Sequence, residues 1–301
     1  MKNKTSITAL MSAFGRAYHV KKAADVIFAD TKANELISSE EYQSISRHIL
    51  SGIDFLAPEK KNKFTDDEEA LQYLVNTQIA PTPLARAKFC EDELKTALES
   101  GTEQYVILGA GMDTFALRQP DLSKKYEIFE VDHPLTQADK IKRIQSAGLK
   151  IPCNLHFAPV NFLTDSLKEN LLKAGFNPEK STFFSFLGVS YYLTGEQIDS
   201  MLENIRALSA RGSSLVLDYA DEGLFNSNIK RVQNMTAMAA AGGEPMKTCF
   251  NAGELEKLLK RYHFSLQKSL TPANIQSRYF AHRNDELTAF EHINYALFTL
   301  K

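Results

Sequence analysis

Five short apolar runs recur through the middle of the chain: QYVILG (104–109), YEIFEV (126–131), LHFAPV (155–160), STFFSFL (181–187) and SSLVLDY (213–219). Each is bounded by polar or turn residues and reads as a strand buried on both faces. Between them lie stretches with helical spacing, PLTQADKIKRIQSAG, LTDSLKENLLKAG and TGEQIDSMLENIRALSARG. That alternation is the βαβ rhythm of a doubly wound parallel sheet.

The rhythm breaks after residue 219. DEGLFNSNIKRVQNMTAMAAAGGEP reads as a long connection of mixed character, followed by a helix near 252–261 and two more candidate strands, HFSLQKSL and INYALFTL. No helix-length connector is evident between these last two, which suits an antiparallel pair closing a sheet edge and brings the strand count to seven. Upstream of about residue 100 the texture is helical. SEEYQSISRHILSGIDFL (39–56) repeats apolar residues three and four apart behind Ser38 or Ser39 as N-cap, and DDEEALQYLVNTQIA (66–80) follows the same logic. Pro81 and Pro83 end one helix and open the next, which stops at Gly101. The organisation expected is an all-helical cap over residues 1–82 leading into an α/β core over 83–301.

At the end of the first strand, GAG (109–111) allows a sharp turn and a close approach of main chain to a ligand. The dinucleotide fingerprint G-x-G-x-x-G is incomplete, because its sixth position is Thr114, and no phosphate-gripping G-x-x-x-x-G-K-[ST] loop is present. Asp132 lies 21 residues after Gly111 at the tip of the second strand, where a carboxylate can accept hydrogen bonds from ribose hydroxyls. An adenosine-type ligand is favoured. The absent third glycine tilts the choice from NAD toward S-adenosylmethionine, which has no pyrophosphate to grip.

Charge argues against one partner class. The 35 basic and 37 acidic side chains nearly cancel and no Lys/Arg block stands out, so nucleic acid is a poor expectation. No run of 18 apolar residues suggests a membrane span, and Thr5, Ser6, Thr8 and Ser12 interrupt any signal-peptide core, so a cytoplasmic location is expected. Cys90, Cys153 and Cys249 are odd in number and far apart, which fits neither a disulfide framework nor a zinc site, and they read as buried free thiols.

VILGAGMDTFALR followed by FEVDHPLTQADK resembles the first two motifs of the leucine carboxyl methyltransferase family, a branch of the class I S-adenosylmethionine-dependent methyltransferases. Other segments agree in order and spacing: TALMSAFGRAYH (8–19), ARAKFCEDEL, FFSFLGVSYYLT, LVLDY, and GGEP with RYF near the end. The resemblance implies a Rossmann-like α/β fold, a mostly parallel seven-stranded sheet with an antiparallel edge strand, under an N-terminal helical cap that covers the substrate. It implies S-adenosyl-L-methionine as cofactor, no metal, and a small-molecule acceptor methylated on a carboxylate or hydroxyl oxygen.

By the same resemblance, Arg86 pairs with the methionyl carboxylate, Gly109, Ala110 and Gly111 line the methionyl and ribose side, and Asp132 holds the ribose. Asp113 orients the loop or caps the following helix. Asn161 stands where the family commonly has Asp against the adenine amino group, with Phe162 beside it, and its amide oxygen can still accept that bond. Leu187 stands where phosphatase-modifying members have a glutamate, so the cofactor environment at this strand end is expected to be more apolar. Arg16, Tyr18, His19, Tyr191, Tyr192, Glu244 and Tyr279 are candidates to line the acceptor side, and one of the two adjacent tyrosines is expected to pack instead.

The donor arrives activated, so such an enzyme needs alignment and a dry site more than a catalytic triad. No residue is identified as a general base. Other readings remain open on sequence: methylation of a protein C-terminus, which Leu187 disfavours; an NAD-dependent oxidoreductase; and a non-catalytic cofactor-binding or scaffold protein.

Overall fold

The computed structural model describes residues 6–119 and 126–301. The first third is helical: α1 Ile7–Lys22, α2 Ser39–Ser51, α3 Ile53–Leu56, α4 Asp67–Leu74 and α5 Pro81–Glu99. Ser38 starts α2 through a capping box, accepting from the Glu41 amide while the Glu41 side chain reaches back to the Ser38 amide. A π-helical turn at Val75–Ile79 ends at Ala80, after which Pro81 opens α5.

Strands and helices then alternate: β1 Gln104–Leu108, α6 Phe115–Arg118, β2 Glu127–Asp132, α7 Pro134–Ser146, β3 Leu155–Pro159, α8 Leu167–Lys173, β4 Thr182–Phe186, α9 Gly195–Ala207 and β5 Ser214–Ala220. The chain finishes with α10 Lys230–Ala241, α11 Ala252–Arg261, β6 Phe264–Leu270, α12 Pro272–Tyr279 and β7 Ile293–Leu300. The sheet order is β3-β2-β1-β4-β5-β7-β6, with β1 to β5 parallel and β7 antiparallel to both neighbours. Strand order reverses between β1 and β4, and a crevice opens outside their carboxyl ends.

Alternation along the strands divides the core. Tyr105, Ile107 and Phe183 face the N-terminal helices together with Phe14, Leu84 and Phe89. Val106, Leu108, Phe184 and Phe186 face the other way, against Leu171, Ile198, Leu202 and Leu259 of α8, α9 and α11.

Three features differ from the sequence reading. β3 is not buried on both faces, because it is an edge strand: His156 and Phe157 are half-buried and Pro159 is exposed. The connection after β5 contains a full helix, α10, and the one between β6 and β7 contains α12, begun by a Thr271–Asn274 capping box and Pro272. Of the three thiols only Cys90 is buried, while Cys249 is half-buried and Cys153 exposed. Among the described residues no helix is long and apolar enough to cross a membrane.

Candidate active site

At the end of β1 the chain turns at Gly109 and Gly111, with φ of +74° and +51°. The amides of Gly109 and Ala110 donate to the Val131 carbonyl at 2.8 and 3.1 Å, which ties the loop to β2. Both glycines are needed for the turn, but the space beside them is filled by protein. A Cβ at Gly109 would lie 2.3 Å from Val189 Cγ2, and one at Gly111 would lie 2.9 Å from the Ala9 methyl.

Asp132 ends β2 beside this turn. One of its carboxylate oxygens accepts from the Gly111 amide and the other from the His133 amide at 2.6 Å. These bonds orient the carboxylate and leave each oxygen a further lone pair. Burial raises its pKa above the ordinary value, and the two amides oppose that rise. Asp113 caps the short α6, its Oδ1 accepting from the Phe115 amide at 2.7 Å. Thr114, where a third glycine would stand, donates its hydroxyl to Asp30 at 2.6 Å.

Arg86 projects from α5 toward the carboxyl end of β4. Its Nη1 donates to the Tyr191 hydroxyl at 3.0 Å and to Asp218 Oδ2 at 3.3 Å, and its Nη2 to Ser12 Oγ at 3.4 Å. The guanidinium lies across Gly188, where a Cβ would come within 2.5 Å of it. Burial disfavours the Arg86 charge, but Tyr191 and Asp218 outweigh it and hold the group protonated. Asp218 is fully buried within β5, two residues before its end, and its other oxygen accepts from the Gly188 amide at 2.7 Å.

Most of these groups border one cavity of about 410 Å³, with Asp218 and Thr114 outside its lining. Arg86, Gly109, Ala110, Gly111, Asp132, Asn161, Phe162 and Leu187 all line it. The Asn161 amide oxygen already accepts from the Leu163 amide at 3.1 Å, so one lone pair remains for another partner. Of the candidates for the acceptor side, Arg16, Tyr191, Tyr192 and Glu244 reach the same cavity. Both tyrosines border it, ring edge to ring face at 4.8 Å, Tyr191 buried with its hydroxyl on Arg86 and Tyr192 half-buried. Arg16 is committed internally, to Asp30 at 2.7 Å and the Met112 carbonyl at 2.7 Å, so its charge is compensated.

Tyr18, His19 and Tyr279 lie elsewhere. Tyr18 and His19 border a second cavity of about 330 Å³ with Asn76 and Arg283. His19 accepts the Ile27 amide on Nε2 at 2.9 Å, and burial lowers its pKa to about 4. Tyr279 ends α12, outside the lining of either cavity, with Arg278 over its ring at 5.3 Å.

The first turn of α1 and the loop at 243–247 meet along the lining of the main cavity. Ser6 Oγ donates to Glu244 Oε1 at 3.2 Å, and the Thr8 hydroxyl also donates to Glu244. Sequence reading passed over Ser12, Gly188 and Asp218. LVLDY carries Asp218, but within an apolar strand it reads as an ordinary strand end. Among the described residues no group of three His, Cys, Asp or Glu side chains is placed to hold a metal ion.

A mostly parallel sheet with a crevice at its switch point, an acid at the tip of β2 and an arginine lining the same cavity defines a Rossmann-like methyltransferase fold. The leucine carboxyl methyltransferase pattern matches residues 9–206, and the chain belongs to that family. It is 44% identical to YktD of Bacillus subtilis (strain 168), named as an S-adenosyl-L-methionine-dependent methyltransferase, over 98% of this chain and 97% of that one. A Parafrankia sp. (strain EAN1pec) protein named for the same activity is 34% identical over 55% of this chain and 51% of its own. Two crystal structures share the fold with a TM-score of 0.56: a Thermobifida fusca YX protein described as a methyltransferase, at 12% identity over 99% of this chain and 96% of that one, and a DUF574 family protein of Streptomyces avermitilis MA-4680, at 14% over 85% and 96%.

Proposed function

We propose that this S-adenosyl-L-methionine-dependent methyltransferase delivers its methyl group to an oxygen, of a carboxylate or a hydroxyl, on a small metabolite in the cytoplasm. The lining fits the cofactor: a carboxylate oriented by two amides and still able to accept from ribose hydroxyls, a cationic guanidinium for a carboxylate, and apolar walls for a base. When bound, the cofactor supplies a methyl group already activated on a sulfonium.

In this reading Asp132 holds the ribose, Arg86 the amino-acid carboxylate, and Gly109, Ala110 and Gly111 the side between them. Asn161 and Phe162 meet the adenine, and Leu187 keeps that wall apolar. Residues 1–82 cover the site and 83–301 form the core that carries it. Ser6, Thr8 and Glu244 join across one side of the lining, while Tyr191, Tyr192 and Arg16 shape the acceptor side. An ionised carboxylate acceptor needs no base, and a hydroxyl acceptor would have to lose its proton to water or to a neighbouring side chain.

The observation that carries the small-molecule reading is the bonding of Ser6 and Thr8 to Glu244 along the cavity's lining, which a polypeptide terminus entering on that side would have to part. Incubation of the purified protein with methyl-labelled donor and a cell extract, followed by size separation, tests it. Label in the small-molecule fraction is expected. Release as methanol under mild alkali marks a carboxyl ester, and stable label an ether. Label confined to protein, or to amine nitrogen, would reject the proposal.

A further inference from the structure

We infer that Asp218 is a positioning residue for cofactor recognition: it touches no ligand, and it sets the guanidinium of Arg86 in the direction that a ligand carboxylate requires. The inference rests on the proposed cofactor reading. Asp218 has no exposed surface and does not border the cavity, whereas Arg86 does. Burying a carboxylate beneath a ligand site is costly unless its charge is matched and its lone pairs are used. Both conditions are met here, and both run through the site: Oδ2 takes the Arg86 Nη1 donor, and Oδ1 takes the amide of Gly188.

The consequence is a fixed guanidinium plane. Asp218, outside the lining, and the Tyr191 hydroxyl, within it, both hold Nη1, and Gly188 leaves just enough room for the plane to lie flat against the chain. Gly188 has φ of +71°, so the flat seat and the amide aimed at Asp218 come from one backbone conformation. Held this way, Arg86 keeps donors on its cavity side that do not have to be reoriented when a carboxylate arrives. A long flexible side chain would otherwise lose its rotamer freedom on binding.

Calorimetric titration of the full chain with two ligands separates this role from a merely structural one. S-adenosylhomocysteine carries the carboxylate; decarboxylated S-adenosylmethionine keeps the adenosine and the amine but lacks it. Asp218→Asn is expected to weaken S-adenosylhomocysteine by about tenfold or more, the scale of one charge-assisted hydrogen bond, and to leave the decarboxylated ligand unchanged. Tyr191→Phe, which keeps the ion pair, is expected to show the same selectivity at about threefold, and it serves if Asp218→Asn does not fold. Equal weakening of both ligands, or of neither, in the variant that folds overturns the positioning role. Failure of the unaltered protein to bind S-adenosylhomocysteine overturns instead the cofactor reading beneath it.

Discussion

Ala9, in the first turn of α1, packs directly on Gly111, so closely that a Cβ at 111 would come within 2.9 Å of the alanine methyl. The loop expected to face a ligand is therefore roofed by the N-terminal helix. Gly111→Ala should push that turn away and strain a backbone at φ of +51°, costing about 1–3 kcal/mol. Gly109→Ala meets Val189 at 2.3 Å and should cost at least as much. Urea denaturation of both variants measures the cost, and values near zero would mean that the turn is looser than described.

Arg86→Ala and Asp132→Ala should each weaken methyl-donor binding by about ten- to a hundredfold, the range for losing a charge-assisted contact. Calorimetry with S-adenosylhomocysteine reads this directly. Unchanged affinity in both variants would discredit the placement of the cofactor, and tight binding of NADH with no sulfonium ligand bound would discredit its class.

The buried pair of Lys140 on α7 and Glu130 on β2 gives a third expectation. Each side chain is at most 2% exposed, and burial raises the Glu130 pKa to about 7 against the opposing pull of Lys140. Lys140→Met leaves a carboxylate buried without its cation and should destabilise by about 3–5 kcal/mol. The double variant Glu130→Leu/Lys140→Met should recover most of that loss in urea unfolding. A double variant no more stable than the single one would show that the pair is needed for more than mutual neutralisation.

His19 supplies a pH signature. Its folded pKa of about 4 lies below the ordinary 6.5, so the unfolded chain takes up a proton first as pH falls. The stability gained by keeping the ring neutral is fully present above pH 6.5 and is lost as pH falls toward 4, by up to about 3 kcal/mol. His19→Gln places an amide oxygen near the position of Nε2, where it can accept the Ile27 amide without titrating. Its stability curve should be flatter across that window; an unchanged acid limb would assign the loss to other groups.

Much of this architecture was legible because period and punctuation agreed. All seven strands fall within a residue or two of the apolar runs, and Ser38 and Pro81 open helices where their chemistry requires. α10 was read as part of a connection because the alanines and glycines flanking Met238 blur its periodicity, and α12 was missed because its eight residues are shorter than a typical helix. Within the cavity, the glycine turn and Asp132 were legible from spacing along one βαβ unit. Asp218, Gly188 and Ser12 were not, because they meet Arg86 only through contacts made across the sheet and the helical layer. Tyr18 and His19 follow Arg16 so closely that they seemed to share its surroundings, yet helical rotation and rise turn them to another cavity.

Asp30 draws the two halves of the chain into one knot. It accepts from Arg16 and the Ala33 amide on the helical side and from Thr114 on the sheet side, with Arg118 3.3 Å away. Although burial pushes its carboxyl upward, Arg16, Arg118 and Thr114 together hold it below its ordinary pKa. A chimaera that borrowed another relative's helical segment would thus lose the carboxylate that Thr114 and Arg118 meet here, leaving Arg118 to Glu91 and Thr114 without its acceptor at the seam. The graft would have to carry Arg16 and Asp30 along with partners suited to Thr114 and Arg118, so new specificity in this scaffold is more readily gained by altering the cavity's rim than by exchanging its roof.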